Sequence, residues 1–83
     1  MITAQYKGRK LVFEKVGFMS SILISVGINK QVSLPNNVNT YNQIVRQEMC
    51  SSKDVEFFKC NSFNKDYIVL KIKGIPKYYA KVL

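Results

Sequence analysis

The sequence predicts a small α+β domain: a mainly antiparallel sheet of six or seven short strands with one helix, over about residues 40–51, packed on one face. Three observations predict it. Short runs rich in β-branched and aromatic residues are separated by Gly, Asn or Pro turns, and one segment carries a clear helix-start signal. At 83 residues, 47% apolar and 22% charged, the chain has the balance of one folded domain and not of a disordered one. A domain of that length buries only roughly 60 to 65% of the surface its unfolded chain exposes, so its core is thin.

Taken in order, "ITAQY" (2–6) and "KLVFEKV" (10–16) flank "KGRK", where Gly8 can supply the positive φ of a tight turn, and they form a first hairpin. In "VGFMSSILISVGI" (16–28), Ile22, Ile24 and Val26 recur at every second position, which favours a strand. A short buried helix over 18–28 is the alternative, because an unbroken apolar run carries no decisive period. The run is too short to cross a bilayer as a helix, so no membrane is expected. "GINK" then turns into a strand "QVSL", which Pro35 ends.

Thr40 followed by Gln43 forms a capping box that opens the helix, whose apolar stripe is Tyr41, Ile44, Val45 and Met49. Glu48 falls inside that stripe, and an ion pair with a lysine is the expected resolution. Three strands follow: "VEFFKC" (55–60), "YIVLKIK" (67–73) and "KYYAKVL" (77–83), the last two joined through Gly74 and Pro76.

Charge is the strongest functional signal. Thirteen Lys and Arg against five Asp and Glu give +8, which predicts attraction to polyanions. Eleven of the thirteen are lysine, and bidentate reading of bases favours the planar guanidinium, so backbone attraction is expected over sequence-specific recognition of duplex DNA. Residues 65–83 carry +4 and residues 7–15 carry +3 of that total. The two clusters form one patch if the first hairpin lies beside the last strand, and two patches if it does not.

Alternation in the C-terminal hairpin puts Ile68, Leu70 and Ile72 with Tyr78, Ala80 and Val82 on the inner face. The outer face then carries Tyr67, Val69, Lys71, Lys73, Lys77, Tyr79 and Lys81. Lysines for phosphates beside tyrosines for base stacking suit RNA or other single strands. Lysine on the wet face of a sheet is also ordinary, and on an edge it blocks aggregation. The turn residues Lys7, Arg9 and Lys10, with Gly8 between them, are a second candidate phosphate contact. The amides Asn36, Asn37, Asn39 and Asn42 are read as turn and cap residues.

Other chemistries find little support. There is no histidine, and Cys50 and Cys60 do not match a metal-ligand spacing, so neither metal nor cofactor is expected; the cysteines read as reduced and the chain as cytoplasmic. The carboxylates Glu14, Glu48, Asp54, Glu56 and Asp66 assemble no nucleophile and base pair, and no enzyme is expected. RNP1, GxxG, finger and P-loop patterns do not occur. The expectation is a small basic nucleic-acid-binding protein acting without catalysis. The alternative is a protein-binding inhibitor or accessory regulator, of the phage or mobile-element type, that sets its basic face on an acidic or nucleic-acid-binding groove of a partner enzyme.

Overall fold

A computed structural model describes residues 2–82 of the chain. It is an α+β domain in which six strands form one sheet: β1 (Ile2–Tyr6), β2 (Arg9–Lys15), β3 (Ile28–Gln31), β4 (Val55–Ser62), β5 (Lys65–Ile72) and β6 (Ile75–Lys81). Their order across the sheet is β1-β2-β6-β5-β4-β3, and every neighbouring pair is antiparallel. Leu83, at the end of the strand expected over 77–83, lies outside the described residues.

Three hairpins build most of the sheet, and each turns on two residues at positive φ: Lys7–Gly8, Phe63–Asn64 and Lys73–Gly74. This is the mirror-image turn whose twist matches that of the strands it joins. Pleating then sorts the side chains. Ile2, Ala4, Leu11, Phe13, Val55, Phe57, Ile68, Leu70, Tyr78 and Ala80 share one face and form the main core. Helix α2 (Asn37–Glu48) closes that face with Tyr41, Ile44 and Val45, the Tyr41 ring stacking on Phe57 at 5.4 Å.

Several local readings change. The helix starts earlier than residue 40, with Asn36 at its N-cap, and Thr40 is a buried interior residue whose Oγ1 donates to the Asn36 carbonyl at 3.0 Å. A capping box does form, but at Ser51 and Asp54, where a short 3₁₀ turn (Ser52–Asp54) leads into β4. "INKQ" is the third strand, so the segment read as a turn before "QVSL" pairs with β4 instead. Among the described residues Glu48 forms no ion pair with a lysine: its carboxylate meets the Tyr78 hydroxyl, which also accepts from Gln47 Nε2 at 3.0 Å. Burial, followed by the hydrogen bond and charge of Glu48, pushes the Tyr78 phenol up to about 12.

The largest difference is α1 (Phe18–Val26), a helix where alternation favours a strand. The strand order explains it. The chain leaves β2 in the interior of the sheet and must reach β3 at the far edge, passing over β6, β5 and β4. No strand slot lies along that path, so the segment crosses the open face as a helix. There Ile24 seals Cys60 and Val69 into a small second cluster.

Gly27 ends α1 and permits the close approach, since a Cβ at that position would overlap Cys60 Sγ and the Asn61 carbonyl. Cys60 Sγ donates to the Ile24 carbonyl at 3.1 Å. Burial pushes its thiol up, with the Lys71 charge and a backbone hydrogen bond from Gly27 pulling the other way.

Candidate nucleic-acid interface

The C-terminal hairpin has the sidedness expected of it. Ile68, Leu70, Tyr78 and Ala80 are buried in the main core, while Tyr67, Lys71, Tyr79 and Lys81 turn to the opposite face. That face is not an open plane, however. Val69, read as an outer residue, is 0% exposed because α1 lies over it. The Tyr67 and Tyr79 rings pack against the same cluster, edge to face with centroids 5.8 Å apart and an interplanar angle of 70°.

Helix α1 and the sheet's own length divide the expected basic row. β2 does lie beside β6, so the first hairpin meets the last strand as a single patch requires. Pairing runs through Lys15↔Tyr78 and Glu14↔Tyr79, after which the two strands part. The gap is a cleft of about 490 Å³ walled by Lys10, Val12 and Glu14 on one side and Tyr67, Tyr79 and Lys81 on the other.

Because β2 is antiparallel to β6, the Lys7–Gly8 turn and Arg9 fall at the Lys81 end of the sheet. Lys81 also borders a shallow depression with Lys65, Asn61 and Asn64 at the tip of the β4–β5 hairpin. Lys7, Arg9, Lys10, Lys65 and Lys81 therefore gather at one pole, with both tyrosines beside them.

Lys71, Lys73 and Lys77 do not join that group. The Lys71 ammonium sits 4.4 Å from the centroid of the Phe58 ring. Lys73 occupies the β5–β6 turn, where its N–H donates to the Asp54 carbonyl at 2.9 Å. A bulge between Leu70 and Lys71 drops Lys77 out of the ladder, and it borders Lys15 and the first turn of α1. Since each strand residue advances about 3.3 Å, Lys71 and Lys77 stand roughly 13 Å, and Lys73 roughly 20 Å, along the strands from Lys81. A shared face did not guarantee a shared site.

One cleft residue and one neighbour of the cleft, Glu14 and Lys65, are not singled out by the sequence. Glu14, one of the carboxylates to which the sequence assigns no role, sits inside the cleft and accepts from the Tyr79 hydroxyl at a long 3.5 Å. Its signal was available, since Lys10, Val12 and Glu14 alternate on β2 as Tyr79 and Lys81 do on β6. Lys65 was counted in the local charge but not placed, and only the hairpin turn at Phe63–Asn64 brings it toward Lys81.

Among the amide-rich residues, Asn36 and Asn39 border a polar groove with Thr3, Gln5 and Lys10 at the edge of β1. Among the described residues, no three His, Cys, Asp or Glu side chains gather to hold a metal ion, and no helix is long and apolar enough to cross a membrane.

No protein-family model matches the chain, and comparison with curated proteins and with solved structures finds no significant match.

Proposed function

We propose that the chain is a small basic nucleic-acid-binding protein that acts without catalysis, taking RNA or other single strands at the cleft between β2 and β6. The observation that carries this reading is the placement of Lys10 and Lys81 on opposite lips of a cleft that also presents Tyr67 and Tyr79. The cationic lips neutralise successive phosphates, and the two tyrosines offer aromatic surface against which unstacked bases pack. At about 490 Å³ the cleft falls within the roughly 300 to 1,000 Å³ of sites that hold small ligands, which suits a splayed nucleotide and not a duplex. Lys7, Arg9 and Lys65 lengthen the attraction along the same end. The Glu14 carboxylate opposes it, a feature expected of weak, reversible binding that reads no sequence.

Fluorescence anisotropy with a labelled oligopyrimidine at several salt concentrations tests this. Affinity falls with salt, with a log-log slope of about −2 to −4 if three to five cations take phosphates. Replacing Lys10 and Lys81 together by Gln weakens binding at least about tenfold and flattens the slope by roughly 1.5, since each lost phosphate contact removes about 0.7 to 0.9. Replacing Lys71, Lys73 and Lys77 by Gln does much less. Glu14→Gln tightens binding severalfold. Binding that survives the Lys10 and Lys81 change would sink the cleft, and a partner protein retained after nuclease treatment would favour docking on an acidic groove instead.

A further inference from the structure

Helix α1 wears its amphipathicity inside out. Its sheet-facing side holds Ile24 with Ser20 and Ser21, while the side pointing away from Ile24 carries Phe18, Met19, Ile22 and Val26. These stand 81%, 66%, 46% and 80% exposed. A helix with one water-facing side places polar residues there. Here every large apolar side chain except Ile24 faces outward or flanks the crest.

The β4–β5 turn extends the patch. Phe63 is 71% exposed, borders Leu23, and sits at φ +52°, a left-handed position that Gly or Asn fills without the penalty an aromatic incurs. A bulky ring held in that conformation and left in water adds nothing to the core of the single chain.

We propose that this surface pairs with a second copy of the same chain, α1 against α1 across a two-fold axis. Taking roughly 150 to 250 Å² for an aromatic side chain and the lower end of that range for an aliphatic one, the crest with Leu23 and Phe63 exposes on the order of 700 Å² of apolar surface. That exceeds the roughly 300 to 600 Å² patch of an ordinary monomer and approaches the roughly 800 Å² per partner of a standard interface.

Charge decides the occupant. No residue of Phe18–Val26 is ionised, and Lys15 and Lys77, with Glu48 among them, border only its first turn, so the crest itself lacks the Lys and Arg face of a helix that lies on anionic lipid. An uncharged apolar surface is its own complement, as a two-fold interface requires, and antiparallel packing sets the opposite dipole ends of the two helices together. The serines do not oppose burial: Ser25 Oγ already donates to the Ser21 carbonyl at 2.7 Å. A recess of about 90 Å³ between Leu23, Phe63 and Tyr67 gives a facing side chain somewhere to seat. The crest residues Phe18, Met19, Ile22 and Val26 do not line the β2–β6 cleft; of the residues around the recess only Tyr67 and Tyr79 border both.

Sedimentation equilibrium over the micromolar range tests the pairing. The wild-type chain runs as a dimer, and its dissociation constant falls as salt rises, because two chains of +8 repel one another until screened. That trend is opposite in sign to nucleic-acid or anionic-lipid binding. Ile22→Lys and Val26→Lys each raise the constant by more than about tenfold while circular dichroism and melting of the single chain stay native. Phe63→Asn relieves the turn, so it weakens the dimer while raising the stability of the monomer. A wild-type chain that stays single at high salt, variants that remain dimeric, or a monomer that sediments with anionic vesicles would each overturn the proposal.

Discussion

The two helices cover opposite faces of one sheet and do different work. Helix α2 is written for folding: Thr40 and Ile44 are buried, Tyr41 and Val45 pack beside them, and Asn39, Asn42, Gln43 and Arg46 meet water. Helix α1 buries Ile24 alone and points its other large apolar side chains outward. Its anchorage is a three-residue cluster, the Cys60 thiol on the Ile24 carbonyl, and a Ser62 hydroxyl 3.4 Å from the Leu23 carbonyl. The contrast teaches that a helix can be fixed by topology, because the chain must cross the sheet, and leave its sequence free to serve a surface.

Equilibrium urea melts break or sharpen that comparison. Phe57→Ala, under α2, costs roughly 3 to 5 kcal/mol, a large share of what a domain this small has, whereas Ile24→Ala, under α1, costs about 2. Equal losses would mean that both faces carry the fold.

Next in size is the pH dependence on the α2 side. The Tyr78 phenol ionises at about 12 in the folded chain against 10.0 as its ordinary value, so the native state holds the proton more tightly than the unfolded one. Its contribution is complete below pH 10 and disappears as pH climbs to 12, a loss of roughly 2 to 3 kcal/mol. Ultraviolet titration of tyrosinate should show a step near pH 12 that Tyr78→Phe removes.

On the α1 side, Gly27→Ala forces a methyl against Cys60 Sγ and the Asn61 carbonyl and costs roughly 1 to 3 kcal/mol, read as a lower urea midpoint. The smallest effect belongs to the crest: Ile22→Ser, measured below the concentration at which chains associate, shifts stability by less than about 0.5 kcal/mol. A larger loss would make the outer face of α1 part of the fold after all.

Much of the site was legible in part. Alternation alone placed Tyr67, Lys71, Tyr79 and Lys81 on one side of the last hairpin, because a pleated strand sends successive side chains to opposite faces. Nothing local put Lys10 and Glu14 opposite Tyr79 and Lys81. That depends on β2 lying beside β6, a pairing across more than sixty residues of chain. The bulge that displaces Lys77 is marked only by Pro76 beside it, a residue that the sequence reads as part of the turn. The helix α2 was found but opened too late, because Thr40 with Gln43 imitates a cap while Thr40 Oγ1 bonds back to Asn36 inside the helix.

Taken alone, the sequence determined the basic character of the chain, its first and last hairpins, and the inner and outer sides of residues 67–81, since charge is additive and turn sterics and pleating act over a few residues. The tertiary structure decided the rest: that residues 18–26 coil, that Val69 lies under them, and that the cations divide between two poles. These outcomes follow from the order of strands in the sheet, which long-range pairing sets and which an apolar run of no fixed period cannot announce.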